Sequence, residues 1–560
     1  MRKSIEEVIE KYALQNALKY DSVPLADAVM GKVMSECPEL RTKAREIAPL
    51  FQGIIDRISA MSPAERLARL RQIAPELMVP EKKEKERRLP PLEVEKSVTM
   101  RIAPNPNGPP TLGIARGIII NHEYARMYNG KFILRFDDTD PKTKRPMLEA
   151  YVWYEEDCEW LGAKPDEIVM ASDRIDEYYE YAEQLIKMGK AYVCFCDRDE
   201  FKILKDSMIA CPHREQEVQI NLKYWKKMLA GEYDEGEAVL RIKTDMRHKD
   251  PALRDWVALR IIKEAHPRVG RKYDVWPMLD FESAIEDHLL GITHIVRGKD
   301  LMDSEKRQKF VYDYLGWTYP KTSHWGRIRI HEFGKFSTSG MKKAIDEGKY
   351  RGWDDPGLPT VRALRRRGIQ PETIRNFMID LGVSETDIAV SMDTLYAENR
   401  KIIDPIANRY FFVWDPVRLE IEDVMPTVAK APLHPTESRG FREIFVQGEV
   451  FVCKGDVQGI KKDDKLRLKD LYNIQITSLH PLRAKYIGND LSIIKKGAAI
   501  IHWCPPGGVK VKVLCPDGEY TGIGEEGISS ELGNVVQFER FGFVRIDSVD
   551  DEVMAYFAHK

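Results

Sequence analysis

The sequence predicts an α/β protein in which a domain of alternating strands and helices is flanked by a helical N-terminal region and a β-rich C-terminal region. Three observations carry this. Residues 97–138 read as strand, tight turn, helix, strand; segments of both kinds alternate from about 97 to 325; and from about 431 to the end short apolar runs are separated by Gly, Asp and Pro.

Residues 1–96 open with the amphipathic pattern MRKSIEEVIEKYALQNALKY and close with EKKEKERRLPPLE, a charged run before two prolines that reads as a solvated linker. In SVTMRIAP the apolar residues Val98, Met100 and Ile102 alternate, as a half-buried strand requires. Pro104, Pro106, Gly108, Pro109 and Pro110 then forbid any regular element, so the chain turns. TLGIARGIIINHEYARMY has helical apolar spacing and KFILRFDD is again strand-like. A helix that opens straight after such a turn aims free backbone N–H groups and the positive end of its dipole at what lies above, which favours phosphate. Within the 97–325 domain, residues 190–270 contain clustered cysteines and a change of texture that mark an inserted subdomain. Helical patterns return over 326–430, beginning near GWDDPGLPTVRALRRRGI, and 431–560 reads as β-barrel or sandwich.

The chain has 560 residues, enough for several domains with cores of their own. Its 87 basic and 89 acidic residues nearly cancel, so net charge points neither to a polyanion nor to a membrane surface, and any nucleic-acid contact rests on local patches. The N-terminus has no apolar signal core and no apolar run reaches the ~18 residues of a membrane span, so a cytoplasmic protein without membrane contact is expected. Eight scattered cysteines suit a reducing compartment. Cys194, Cys196, Cys211 and His213 alone form a group with ligand spacing, compatible with tetrahedral zinc.

Taken together, RIAPNPNGPP, RFDDTDP, GITHIVRGKD, FSTSGMKK, GWDDPGLPTVRALRRRGI and VVQFERFGFVRID resemble the archaeal-type glutamyl-tRNA synthetases of class I, over essentially the whole chain and in one order. The resemblance implies a Rossmann-like catalytic domain, an insertion that holds the acceptor end, a helical stem-contact region and C-terminal β-barrels that read the anticodon. It also implies a monomeric ligase that joins glutamate to tRNA(Glu) through glutamyl-adenylate, with ATP entering as its Mg2+ complex. Alternatives are a paralogue that binds tRNA without activating an amino acid, and a glutaminyl enzyme.

The family's His-Ile-Gly-His signature falls on Thr111, Leu112, Gly113 and Ile114. Both histidines, which donate to phosphate as charge develops, are replaced. Thr111 keeps one neutral donor and also suits a helix N-cap; Gly113 lets adenine approach the backbone. The lysine-loop signature falls on Phe336, Ser337, Thr338, Ser339 and Gly340, with glycine in place of the lysine and Lys335, Lys342 and Lys343 close by. By the same resemblance Ala103, Pro104, Asn107, Gly113, Ser337, Ser339 and Gly340 contact ATP. Arg101 pairs with the substrate side-chain carboxylate, Asp137 holds its α-amino group, Arg297 stands at the amino-acid pocket, and Leu279 replaces a usual tyrosine. Arg362, Arg365, Arg366 and Arg367 offer positive charge to tRNA. Some bacterial relatives carry zinc at a similar insertion, but the spacing between the two ligand pairs is shorter here, and buried thiols are the favoured reading over zinc.

Overall fold

The computed structural model describes residues 5–20, 23–24, 26–37, 44–77, 87–95, 97–334 and 337–560. They form two compact units, Met1–Arg87 and Arg88–Lys560. The first packs helices Ile5–Tyr20, Ala26–Glu36, Ala44–Ser59 and Pro63–Ile73 around Ile9, Leu14, Val33, Ile58 and Leu70. Its last helix starts at a capping box: Ser62 accepts the Glu65 N–H while Glu65 accepts the Ser62 N–H, with Pro63 in the first turn.

The second unit is built on a parallel sheet of strands Thr99–Ile102, Lys131–Phe136 and Glu167–Met170, in that order. The strand alternation places Met100, Phe132 and Leu134 in a core shared with Ile118 and Ile119 of the Leu112–Met127 helix. Thr293 exchanges hydrogen bonds with Thr99, bringing the parallel pair His294–Gly298 and Lys321–Trp325 alongside. Between these elements lies a four-stranded antiparallel sheet, Ala191–Cys194, Val239–Ile242, Val257–Ile261 and Val275–Pro277. Arg116 braces the whole from below: fully buried, it donates to the carbonyls of Gly326 and Gly382, and burial lowers its guanidinium to about 10.

Helices Thr338–Asp346, Val361–Arg366, Pro371–Leu381 and Met392–Ile403 follow, and then the chain turns to strands. The strands begin at Arg409, not near 431 as the sequence suggested. Phe412–Trp414 and Pro416–Glu422 already belong to the C-terminal sheets, which have seven and six strands. Arg367 differs from expectation as well. It is 1% exposed and donates to the Phe557 and Ala558 carbonyls and to the Tyr396 hydroxyl, so it bolts the helix to the last strand and presents no charge to solvent.

Candidate functional site

A cavity of about 270 Å3 opens where strands Thr99–Ile102 and Lys131–Phe136 end, beside the first turn of the Leu112–Met127 helix. Arg101, Ala103, Pro104, Gly113, Ile114, Asp137, Leu279 and Arg297, from separate motifs, all line it. Ser283, Ser304 and Gln308 line it too, and nothing in the sequence pattern had singled them out. A second cavity of about 220 Å3 lies on the other side of Gly113, walled by Thr111, Ile328, Ile330, Phe333, Ser337, Thr338 and Phe377. Gly113 therefore borders both.

Local chemistry explains how the two signatures meet. Thr111 caps its helix, accepting the Ile114 N–H at 3.4 Å. Ser337 likewise caps the Thr338–Asp346 helix, accepting the Gly340 N–H at 3.1 Å. Both hydroxyls are thus engaged by backbone. A Cβ on Gly108 would stand 2.6 Å from Thr338 Cγ2 and 3.0 Å from the Trp353 ring, so glycine lets the proline-rich turn approach the second signature without displacing these side chains. Asn107, Ser339, Gly340 and Lys342 border neither cavity. Lys335 and Phe336 lie outside the described residues.

Beneath the larger cavity is a buried charge network. Asp287 takes two hydrogen bonds from Arg101, at 2.9 and 2.8 Å, and one from Arg135 at 2.7 Å. Arg135 also donates to Asp137 at 2.7 Å and to Ser283 at 2.8 Å. Burial alone would push the Asp287 carboxyl up, but the Arg101 and Arg135 guanidinium groups outweigh it and hold the group at about 2. Glu282 goes the other way: burial, then the neighbouring Asp137 charge, push it well above the usual carboxylate range.

The arginine run occupies a crevice of about 740 Å3 with Glu156, Glu159, Trp160 and Asp354. Arg362 pairs with Glu156 at 2.7 Å, and Arg366 bridges Asp354 and Asp547. Arg365 is exposed over the Trp160 ring and has no ion pair among the described residues. Among the described residues, Arg365 is the one arginine of the run that is both exposed and without an ion pair.

At the end of the Ala191–Cys194 strand and the turn at Pro212–Glu215, the ligand atoms of Cys194, Cys196, Cys211 and His213 all lie within 4.8 Å of one another. Cys194 and Cys211 sulfurs are 3.9 Å apart and Cys196 Sγ is 3.4 Å from His213 Nδ1. Tetrahedral zinc with Zn–S bonds of about 2.3 Å requires ligand edges of about 3.8 Å, so this set fits the ion. A second group, Cys453, Asp456 and His502, does not fit: Arg540 holds both Asp456 oxygens, and the His502 ring nitrogens face the Phe412 carbonyl and Arg540.

The strand–turn–helix cavity, the insertion and the C-terminal sheets have counterparts along the whole chain. Residues 97–405 match the family model described as tRNA synthetases class I (E and Q), catalytic domain; 407–487 and 500–547 match two anti-codon binding domains of the same class. The chain belongs to the class I (E and Q) tRNA synthetase family. It is similar to curated proteins named Glutamate–tRNA ligase. That of Methanothrix thermoacetophila is 61% identical over 100% of both chains. That of Methanococcoides burtonii is 62% identical over 99% of this chain and 98% of the relative, and that of Pyrococcus furiosus 51% over 99% and 100%. Among the described residues no helix is long and apolar enough to cross a membrane.

Proposed function

We propose that this chain is a ligase that attaches glutamate to tRNA in two steps. The observation that carries this reading is the meeting of Arg101, Asp137 and Arg297 in one cavity, next to the Gly113 opening. In the first step an oxygen of the glutamate α-carboxylate attacks the α-phosphorus of ATP, and the bond to pyrophosphate breaks. In the second the terminal ribose hydroxyl of tRNA attacks the acyl carbon and AMP leaves. Asp137 receives the α-ammonium; Arg101, which the resemblance assigned to the side-chain carboxylate, spends its donors on both oxygens of Asp287 and supports the floor, so Arg297 receives that carboxylate. Gly113 leaves room for the nucleotide, and ATP enters with Mg2+. Arg365 and the C-terminal sheets contact tRNA, and the protein works as a monomer in the cytoplasm.

Zinc belongs to this reading as a structural ion held by Cys194, Cys196, Cys211 and His213, and it supplies no step of the reaction. The four-ligand geometry supports it. Neither a tRNA-binding paralogue nor a glutaminyl enzyme gains support of its own, since the high-identity relatives carry the glutamate name.

ATP–pyrophosphate exchange with glutamate and with glutamine, each with and without tRNA, tests the function. Exchange that depends on glutamate is expected. Exchange with glutamine alone, or none with either amino acid, would refute it.

A further inference from the structure

We propose that Gln308 preserves the cavity's preference for a carboxylate over a carboxamide by meeting Arg297 with a neutral oxygen, which leaves the guanidinium charge unspent. The proposal rests on the reading above that the cavity takes glutamate.

Three guanidinium groups surround the cavity floor, and their partners differ in kind. Arg101 is matched by the two oxygens of Asp287, and Arg135 by Asp287 and Asp137. Both charges are compensated inside the protein. Arg297 is equally buried, 6% exposed, yet its partners are neutral. Its Nη1 donates to Gln308 Oε1 at 3.2 Å and its Nη2 to the Tyr319 hydroxyl at 3.1 Å. The Tyr319 hydroxyl in turn donates to Gln308 Oε1 at 2.6 Å. This closed triangle fixes the orientation of the Gln308 amide, because its oxygen must receive both donors. The Arg297 Nε–H is buried with no partner among the described residues.

The arrangement leaves a positive charge in the cavity wall. Among the buried groups Arg101, Arg135 and Arg297 supply three charges against two from Asp137 and Asp287, with Glu282 pushed towards its neutral form by burial; Asp300, the other carboxylate of the lining, is exposed to solvent. Bound glutamate, with two carboxylates and one ammonium, brings the missing negative charge; glutamine does not. A hydrogen bond from a guanidinium to an ionised acceptor is roughly twice as strong as one to a neutral acceptor, so the unspent charge discriminates between the two side chains. A glutamate at position 308 would accept the same hydrogen bonds but supply the counter-charge from within. Gln308, 1% exposed and facing the cavity, is therefore a residue whose neutrality, more than its hydrogen bonds, keeps the Arg297 charge available to substrate.

The test compares tRNA-dependent ATP–pyrophosphate exchange of the full chain, with glutamate and with glutamine, for wild type, Gln308→Glu, Gln308→Met and Tyr319→Phe. Gln308→Glu is expected to raise KM for glutamate about tenfold and to reduce the glutamate-to-glutamine ratio of kcat/KM by a similar factor, with KM for ATP unchanged. Gln308→Met and Tyr319→Phe remove an acceptor without adding charge, and the ratio is expected to stay within threefold of wild type. A Gln308→Glu enzyme with unaltered glutamate KM, beside an active wild type, overturns the proposal alone. A ratio that collapses equally in Gln308→Met or Tyr319→Phe also overturns it, and these two variants decide the matter should Gln308→Glu not fold. A wild type without glutamate-dependent exchange overturns the functional reading and this proposal together.

Discussion

Asp287 grips Arg101 through two parallel hydrogen bonds while both side chains are almost wholly buried, 1% and 4% exposed as residues. Because the folded carboxyl sits at about 2, below the ordinary value near 3.9, it stabilises the fold at every pH above about 4. That contribution, about 2 kcal/mol, disappears as pH falls through about 2. Melting of the wild type is therefore expected to weaken over this window, whereas Asp287→Asn flattens the dependence. At neutral pH the same variant costs about 3–5 kcal/mol, because Arg101 and Arg135 are left buried with less counter-charge. Equal acid profiles for the two proteins would count against this account.

Asp157 has the opposite sign. Burial raises its carboxyl to about 7, only partly countered by Arg362 and Arg365, and neither oxygen has a hydrogen-bond partner among the described residues. A raised carboxyl costs stability as pH climbs from about 4 to about 7, so Asp157→Asn is expected to raise the melting temperature at pH 8 and to leave it unchanged at pH 4. The gain at pH 8 is of the order of a few kcal/mol. A loss of stability at pH 8 would show that the 3.8 Å contact with Arg362 outweighs the burial cost.

The arginine run separates into two roles that salt titration distinguishes. Arg365→Ala is expected to weaken tRNA binding and to lower the slope of log K against log salt by about 1, with little effect on melting. Arg367→Ala is expected to lower the melting temperature, since it strips the donors from the Phe557 and Ala558 carbonyls, and to leave the salt slope intact in the folded fraction. The reverse pattern would contradict the burial of these side chains.

For the insertion, protein purified without chelators is expected to carry one equivalent of zinc, measured by metal analysis. Cys211→Ser should lose it and melt at a lower temperature, because binding free energy of a structural ion is folding free energy. One equivalent retained in that variant would remove Cys211 from the ligand set.

Much of the site was legible because its residues sit in local patterns. Alternation in VTMRI, the proline-rich turn and the helical spacing after it place Arg101 and Gly113 at one edge of a sheet, and the structure does the same. Asp287, Arg135, Gln308 and Tyr319 were not legible, since they meet their partners only through packing; Arg101 and Asp287 are 186 residues apart. RALRRRG read as one positive face, yet residues two apart on a helix point in nearly opposite directions, which sends Arg365 outward and Arg367 into the last strand. The start of the C-terminal sheets was placed too late because the Met392–Ile403 helix runs almost directly into the buried stretch Tyr410–Val413, where a continuous apolar run does not tell strand from helix. Spacing alone did not reveal how near the two cysteine pairs lie: the end of the Ala191–Cys194 strand and the turn at Pro212–Glu215 bring all four ligand atoms within 4.8 Å of one another.

The helix that opens at Leu112 carries glycine at its second position, and a Cβ there would meet nothing nearer than Thr111 Oγ1 at 3.7 Å. The protein itself has no steric need for that glycine. Alanine would favour the helix by up to about 1 kcal/mol. Gly113 is thus a place where the chain gives up rigidity for emptiness. Two cavities border this residue, and a single methyl group would take space from both while making the apoprotein more robust, so selection for thermal endurance alone would be expected to fill it.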